Sequence, residues 1–260
     1  MKRILYTGAR SGIAINTINK IVNEDYYLYL TVHTDKQLEY LQNKYKDNKN
    51  IECFKLDITD KKDREKIKNL DIDILINNAA IGEGGSLAEI DMDRVRNNFE
   101  TNVFSSFEIV QIVLKKMIKK DNGKIIIMSS LASVIPLNFL GAYCGTKASI
   151  SHMARILKNE LKLITSKIKV VLIEPGMYHT GFNQVMLDNK YNNNINSYFN
   201  SQIKQIRKKE NFIFSLLEKK NYDSISNKIV CAIKSEHPKF IYRAPFIQEI
   251  GAKIYNIFNL

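Results

Sequence analysis

The chain has 260 residues, 45% of them hydrophobic and 25% charged, which is enough for one large α/β core and short for two independent domains. No stretch offers 18 uncharged apolar residues, and Cys53, Cys144 and Cys231 are too scattered for a disulfide framework or a paired metal site, so the expectation is a soluble, cytoplasmic protein without an integral membrane segment. The formal charge of +12 rests on lysine, with eight arginines among 39 basic residues, and this argues against nucleic acid as a partner because phosphate recognition favours guanidinium forks.

Apolar runs bounded by turn residues predict strands at Arg3–Tyr6, Tyr27–Val32, Ile51–Leu56, Ile72–Ile76, Lys124–Met128, Ile168–Ile173 and Phe240–Tyr242. Helical spacing fills the gaps, most clearly over Met92–Lys119, where Val95, Phe99, Val103, Phe107, Val110 and Leu114 follow a step of three to four residues. Strand and helix in alternation predict a doubly wound, Rossmann-like parallel sheet of seven strands in a single domain. In such a sheet ligands bind at the carboxyl ends of the strands, so the residues after each strand are the ones to read for chemistry. Residues 182–222, rich in Asn, Lys and aromatics, are expected to form a substrate-covering insertion before the last strand. Residues 239–260 are expected to supply a terminal strand and helix. The helix face of Phe246, Ile250, Ile254 and Ile257 suits the domain's own core or an oligomer contact better than a membrane surface.

After the first strand, Gly8 and Gly12 bracket a turn, and Gly12 opens an apolar helix carrying Ile13, Ile15, Ile18 and Ile21. The backbone of Gly8, Arg10, Ser11, Gly12 and Ile13 is there placed to meet an anion at a helix N-terminus. Ala14 stands where a third glycine would serve helix–sheet packing, and a methyl is the smallest intrusion. A free ribose 2′-hydroxyl is usually held by an acid at the end of the second strand, but that strand ends in His33-Thr34, and Asp35 arrives where a helix N-cap is wanted. The missing acid, with Arg10 nearby, favours a 2′-phosphate: NADP(H) is preferred, with NAD(H) as the alternative. Asp57, after the third strand, stands where it is able to cap a helix beginning near Lys61.

Further on, Tyr143 and Lys147 are four residues apart near the start of a helix and share one face. A phenol with a pKa near 10 is a poor base, and a neighbouring ammonium together with an oxidised nicotinamide favours phenolate. Tyr143 is then able to exchange a proton with a substrate oxygen that the hydroxyl of Ser130, at a strand end, holds by a hydrogen bond. Pro175-Gly176 breaks the backbone after the sixth strand so that the following N–H groups, with Thr180, meet a carboxamide.

Taken together, TGARSGIA (7–14), LDITD (56–60), NNAA (77–80), TNV (101–103), IIIMSS (125–130), YCGTK (143–147) and PGMYHT (175–180) resemble the short-chain dehydrogenase/reductase family from residue 2 to about residue 182. Ala14 and Ala80 stand where the family has glycine, and Thr146 where serine is commoner. The resemblance implies an NAD(P)-dependent oxidoreductase with Ser130, Tyr143, Lys147 and Asn102 as catalytic residues. It further implies that Asp57 and Ile58 lie on the adenine side, that Asn77 and Ala79 lie along the cofactor, and that Lys147 holds the nicotinamide ribose with Asn102 supporting it through water. The long helices Met92–Lys119 and Tyr143–Leu163 imply a homodimer or homotetramer.

Ile81, Leu131, Leu137, Phe139, Leu140, Met177, Tyr178 and Phe182 are expected to frame the reacting carbon, which points to a small hydrophobic ketone or secondary alcohol as substrate. A 3-oxoacyl-carrier-protein reductase, suited to the basic surface, and a non-catalytic nucleotide-sensing protein are the rival readings. His33, His152, His179 and His237 have no metal-ligand spacing, so no metal is expected.

Overall fold

Runs such as ILY, ILIN and KIIIM form strands whose successive side chains point to opposite faces of one sheet. A computed structural model describes residues 1–10, 12–191 and 197–258. Its strands are β1 (Lys2–Tyr6), β2 (Tyr26–Val32), β3 (Ile51–Lys55), β4 (Ile74–Asn77), β5 (Gly123–Met128), β6 (Ile168–Pro175) and β7 (Ile241–Ala244). All pair in parallel, in the order β3-β2-β1-β4-β5-β6-β7, so the order reverses between β1 and β4. This is a single Rossmann-like domain with the expected seven strands.

The two faces carry separate cores. Ile4, Tyr6, Ile74, Ile76, Ile126, Val171 and Ile173 pack on α1 (Gly12–Ile21), α2 (Asp35–Tyr45) and α9 (Asp223–Lys234). Their neighbours Leu5, Leu75, Ile125, Ile127, Val170 and Leu172 pack on α5 (Ser106–Lys119) and α6 (Gly141–Lys162). The switch at every residue is the period-two signature of strands buried on both sides. Ala14 is fully buried in the α1 contact, as a packing substitution should be.

Caps correct two expectations. Thr34, not Asp35, caps α2, in a reciprocal arrangement with Gln37, while Asp35 pairs with Lys55 at 2.8 Å. Asp60, not Asp57, caps α3 (Lys61–Glu65), accepting from Lys62 N at 2.6 Å. At the other end of the domain Lys124 does a glycine's work: its ammonium donates to the carbonyls of Ala232, Ile233 and Ser235 at 2.6–2.7 Å and closes the C-terminus of α9.

The stretch read as one helix over 92–119 is α4 (Met92–Phe99) and α5 joined by a π-turn at residues 100–105. Beyond β6 come α7 (Phe182–Tyr191) and α8 (Asn200–Leu217), and after β7 comes α10 (Phe246–Phe258). In α10 only the Ala252 side is buried; Phe246, Ile250 and Ile254 are exposed, so this face does not close the domain's core, and the Ile257 side chain lies outside the described residues. No helix among the described residues is long and apolar enough to cross a membrane.

Candidate active site

The turn after β1 sits at the reversal of strand order. Gly8 has φ +63°, and a Cβ there would stand 2.9 Å from the Ala79 Cα, so the site admits only glycine. Close approach is enforced from the end of β4. Asn78 Nδ2 donates to the carbonyls of Thr7 and Gly8 at 3.0 and 2.8 Å, and Thr7 Oγ1 accepts from the backbone N–H of Asn78 and Ala79. Asn78 is thus the clamp, a residue the sequence reading passed over in favour of its neighbour. Asn77 is buried, with Nδ2 donating to the Ser106 carbonyl and hydroxyl, so its side chain fixes the start of α5. Ile13 and Ile58 likewise turn their side chains into the two cores, leaving only backbone for a ligand, and Ala79 packs against the core that holds Ile58. Arg10 is exposed; Ser11 lies outside the described residues.

Further along the same edge, Asp57 accepts from Thr59 N and Oγ1 at 2.9 and 2.7 Å and stands 3.5 Å from His33 Nε2. The front of Gly12 is covered by Tyr222. A Cβ on Gly12 would meet that ring at 2.5 Å, and the Tyr222 hydroxyl donates to the His179 carbonyl in the loop after β6. In that loop Gly176 N donates to Ala244 O, Pro175 O accepts from Ser130 Oγ at 3.4 Å, and Thr180 Oγ1 accepts from Phe182 N at the start of α7.

Ser130, Tyr143 and Lys147 converge as expected. Tyr143 and Lys147 lie one turn apart in α6, both buried, with the ammonium 5.7 Å from the phenol ring centre and donating to Met128 O at 3.0 Å. Burial pushes the Tyr143 phenol up to about 12, and the hydrogen bond with Ser130 pulls the other way without prevailing. Burial brings the Lys147 ammonium down to about 8. In the chain by itself desolvation outweighs the Ser130 hydroxyl, and Tyr143 stands as an acid.

Asn102 lies within the π-turn and is buried. Its side chain accepts from Ile81 N and donates to Ile81 O, both at 2.9 Å, and donates to Thr146 Oγ1 at 3.1 Å. It reaches Lys147 only through the neighbouring Thr146. A π-turn inserts one residue into the helix and re-aims its neighbours, which is how a side chain from this helix meets the strand-end segment. Beside it Asn98 donates to Ile81 O at 3.1 Å, with its own Oδ1 buried and unpaired.

One charged group was missed outright. Glu174, fully buried before Pro175, accepts from Arg243 Nε at 2.6 Å, from Ser151 Oγ at 3.3 Å and from Ser133 Oγ at 3.5 Å. Ser151 meets Ser129 Oγ at 2.7 Å, and Ser129 donates to the Lys147 carbonyl at 3.2 Å. The turn carrying Ser130 and the helix carrying Tyr143 and Lys147 are thus tied to one carboxylate behind the site. A glutamate inside an apolar strand run carries no motif; only an uncompensated charge in VVLIEP could have marked it.

The wall over Tyr143 is partly as expected. Leu140 and Phe182 pack on it with Ala132, Cys144 and Met186, the last three unforeseen, and the Phe182 ring lies 5.6 Å from the Tyr143 ring. Tyr178 does not line the site: its ring joins the core under α1 and its hydroxyl meets Ser224 at 2.7 Å. Leu131 is buried, Leu137 is exposed, and Phe139 stacks edge-on against Phe199. Helix α7 closes the roof: a Cβ on Gly82 would strike Phe182 and Met186.

The sequence model described as short chain dehydrogenase matches residues 2–190. The chain is 28% identical over 189 residues to a probable short-chain type dehydrogenase/reductase, VdlC, of Helicobacter pylori, covering 70% of this chain and 67% of that protein. It is 29% identical over 192 residues, 69% of this chain and 66% of the other, to an NADPH-dependent 3-dehydrocapnine reductase of Ornithobacterium rhinotracheale. Among solved structures, a short chain dehydrogenase/reductase of Burkholderia phymatum in complex with NAD has a TM-score of 0.82 at 17% identity, covering 98% of this chain and 93% of that one. The fold is shared along the whole length, the sequence match covers nearly three quarters of the chain, and the motifs stand at the strand ends where that fold binds ligands: the chain belongs to the short-chain dehydrogenase/reductase family of oxidoreductases.

Proposed function

We propose that the protein reduces a hydrophobic ketone with NADPH, or oxidises the matching secondary alcohol with NADP+. The observation that carries the reading is the buried, protonated Tyr143, hydrogen-bonded to Ser130, one turn from Lys147 and roofed by Phe182 and Met186. The residues fit a nicotinamide dinucleotide: the glycine-only turn at Gly8 brings the backbone close against Ala79 just ahead of α1, where a pyrophosphate would meet a helix N-terminus, and the unpaired Oδ1 of Asn98 marks a polar group left over beside the site. Gly8, Arg10, Ser11, Gly12 and Ile13 would hold the phosphates, Asp57, Ile58 and His33 the adenosine, and Pro175, Gly176 and Thr180 the carboxamide. When bound, the cofactor supplies a hydride equivalent to the substrate carbon.

Ser130 then orients the substrate oxygen, and Tyr143 delivers the proton that neutralises the developing alkoxide. The Lys147 ammonium, fixed by Met128 O, stabilises the phenolate that remains. Asn102 holds the Ile81 backbone against the site and steadies Thr146. The absence of an acid at the end of β2 and the exposed Arg10 support NADP(H), and the NADPH in the name of one relative agrees with that. Residues 182–222 act as the substrate cover. We also propose a cytoplasmic homo-oligomer formed through α5 and α6, on whose outer faces Ile118 and Ile156 are exposed.

A panel of free ketones and acyl thioesters, each assayed with NADPH and NADH, tests the reading. Higher kcat/KM with NADPH on apolar ketones supports it; a preference for NADH that Arg10→Ala leaves unchanged overturns the cofactor choice, and turnover restricted to acyl thioesters overturns the substrate class.

A further inference from the structure

Helix α10 is amphipathic and wears its apolar side outward. Ala252 is 1% exposed, whereas Phe246, Ile247, Ile250 and Ile254, spaced for one helical face, are 69%, 70%, 40% and 45% exposed. The end of α8 is apolar and exposed as well. None of the residues of α8 is buried, Phe212 and Leu216 are 68% and 69% exposed, and the Leu217 carbonyl accepts from Gln248 Nε2 of α10 at 2.8 Å. Both helices thus leave apolar side chains exposed, and Gln248 joins the start of α10 to the end of α8.

Charge follows the same pattern. Residues 201–260 carry eleven Lys and Arg against five Asp and Glu, which is half of the chain's net charge of +12. Four of those acids are held in ion pairs: Glu210 with Lys190, Glu218 with His179, Asp223 with Lys20 and Glu249 with Lys253. Lys204, Lys208 and Lys209 stand exposed on α8 in the two turns before Phe212, and Lys219 and Lys220 stand exposed just after the helix. An apolar strip edged by lysines is the composition of a helix that lies in a lipid headgroup layer. A second copy is a poorer occupant, because a two-fold contact through this face sets lysine against lysine, whereas anionic headgroups neutralise it.

We infer that the α8–α10 face docks onto an anionic lipid surface. Gln248, in the first turn of α10 and on its inner side with Ala252, also accepts from Met177 N at 2.7 Å, which ties the helix to the loop after β6 at the edge of the site. A ketone dissolved in the bilayer is the substrate class this arrangement serves; that consequence rests on the hydrophobic-substrate reading above.

Flotation with vesicles tests the docking without any turnover. The protein is expected to float with equimolar phosphatidylcholine and phosphatidylglycerol, to stay behind with phosphatidylcholine alone, and to be released as salt is raised. Combining Phe246→Ser, Ile247→Ser and Ile250→Ser is expected to weaken binding by about tenfold or more while leaving turnover of a small soluble ketone unchanged. Lys208→Glu with Lys209→Glu, which touches no apolar contact, is expected to weaken binding as well. Failure of the wild-type protein to float with the anionic vesicles overturns the inference. So does a wild-type dimer that the serine variant turns into monomers, because a second copy then covers the face. Vesicle binding by a protein that reduces no ketone overturns the functional reading instead, and the two failures are told apart.

Discussion

The carboxyl edge of the sheet and the α8–α10 face lie side by side and are built on opposite terms. Behind the edge a set of polar side chains is buried and paired: Asn77 to Ser106, Asn102 to Ile81, Glu174 to Arg243, Lys147 to Met128. On α8 and α10 apolar side chains stand in the open, while Gln248 and the Glu210–Lys190 pair tie the two helices to the rest of the domain. A buried polar group is costly unless partnered, so each residue at the edge fixes its neighbours. The outer face has no such constraint and is free to follow whatever lies against it.

That contrast is open to measurement, and the largest effect belongs to Tyr143. Tyr143→Phe is expected to lower kcat/KM by about 10²–10⁴-fold, the usual worth of a positioned general acid, with the fold intact by circular dichroism. An activity within a factor of a few of wild type would remove Tyr143 from the chemistry.

Glu174→Gln comes next, because it leaves the Arg243 guanidinium, 15% exposed, without its counter-charge. A loss of about 3 kcal/mol in urea unfolding is expected. A loss below about 1 kcal/mol would mean that the carboxylate is not what binds β6, β7 and the Ser130 turn together.

Smaller again is the response to pH. Lys147 titrates near 8 and is useful while charged, so reductive kcat/KM measured on the free enzyme is expected to fall as pH rises through about 8, at most tenfold per unit, and to be flat just below it. Tyr143, pushed up to about 12, stays protonated across that range and adds no second limb. A profile that rises through pH 8 would reverse the assignment of acid and cation.

The smallest effect is expected outside. Leu216→Ser is expected to change stability by no more than about 0.5 kcal/mol, since the side chain is already exposed. A larger loss would show that α8 packs against something in solution.

The same contrast decides what was readable from residues alone. Strands announced themselves because β1, β4, β5 and β6 are buried on both faces and are apolar at nearly every position. Ser130, Tyr143 and Lys147 were legible because each follows a strand or opens a helix at one edge. Asn102 was named, but not its contacts, because a π-turn leaves no trace in an apolar period of three to four. Asp57 and Asp60 are equally good caps on paper, and only the backbone selects Asp60. Asn77 ends β4 and Asn78 follows it, and that one position is the difference between facing α5 and clamping the glycine turn. Tyr178 failed as a wall residue for the same reason that Met186 succeeded unforeseen: the direction of a side chain in a loop or a roof helix is set by partners far away in sequence. The outward face of α10 was the hardest of all, since a hydrophobic stripe says that something covers it and not what.

The Tyr222 ring over Gly12 makes two distant positions a single heritable unit. Any side chain at residue 12 must enter the space that the ring fills, while a smaller residue at 222 opens that space and gives up the hydrogen bond to the His179 carbonyl. Related chains that depart from glycine at the first position should therefore carry a smaller residue at the second, and each change made alone should be worse than the two made together.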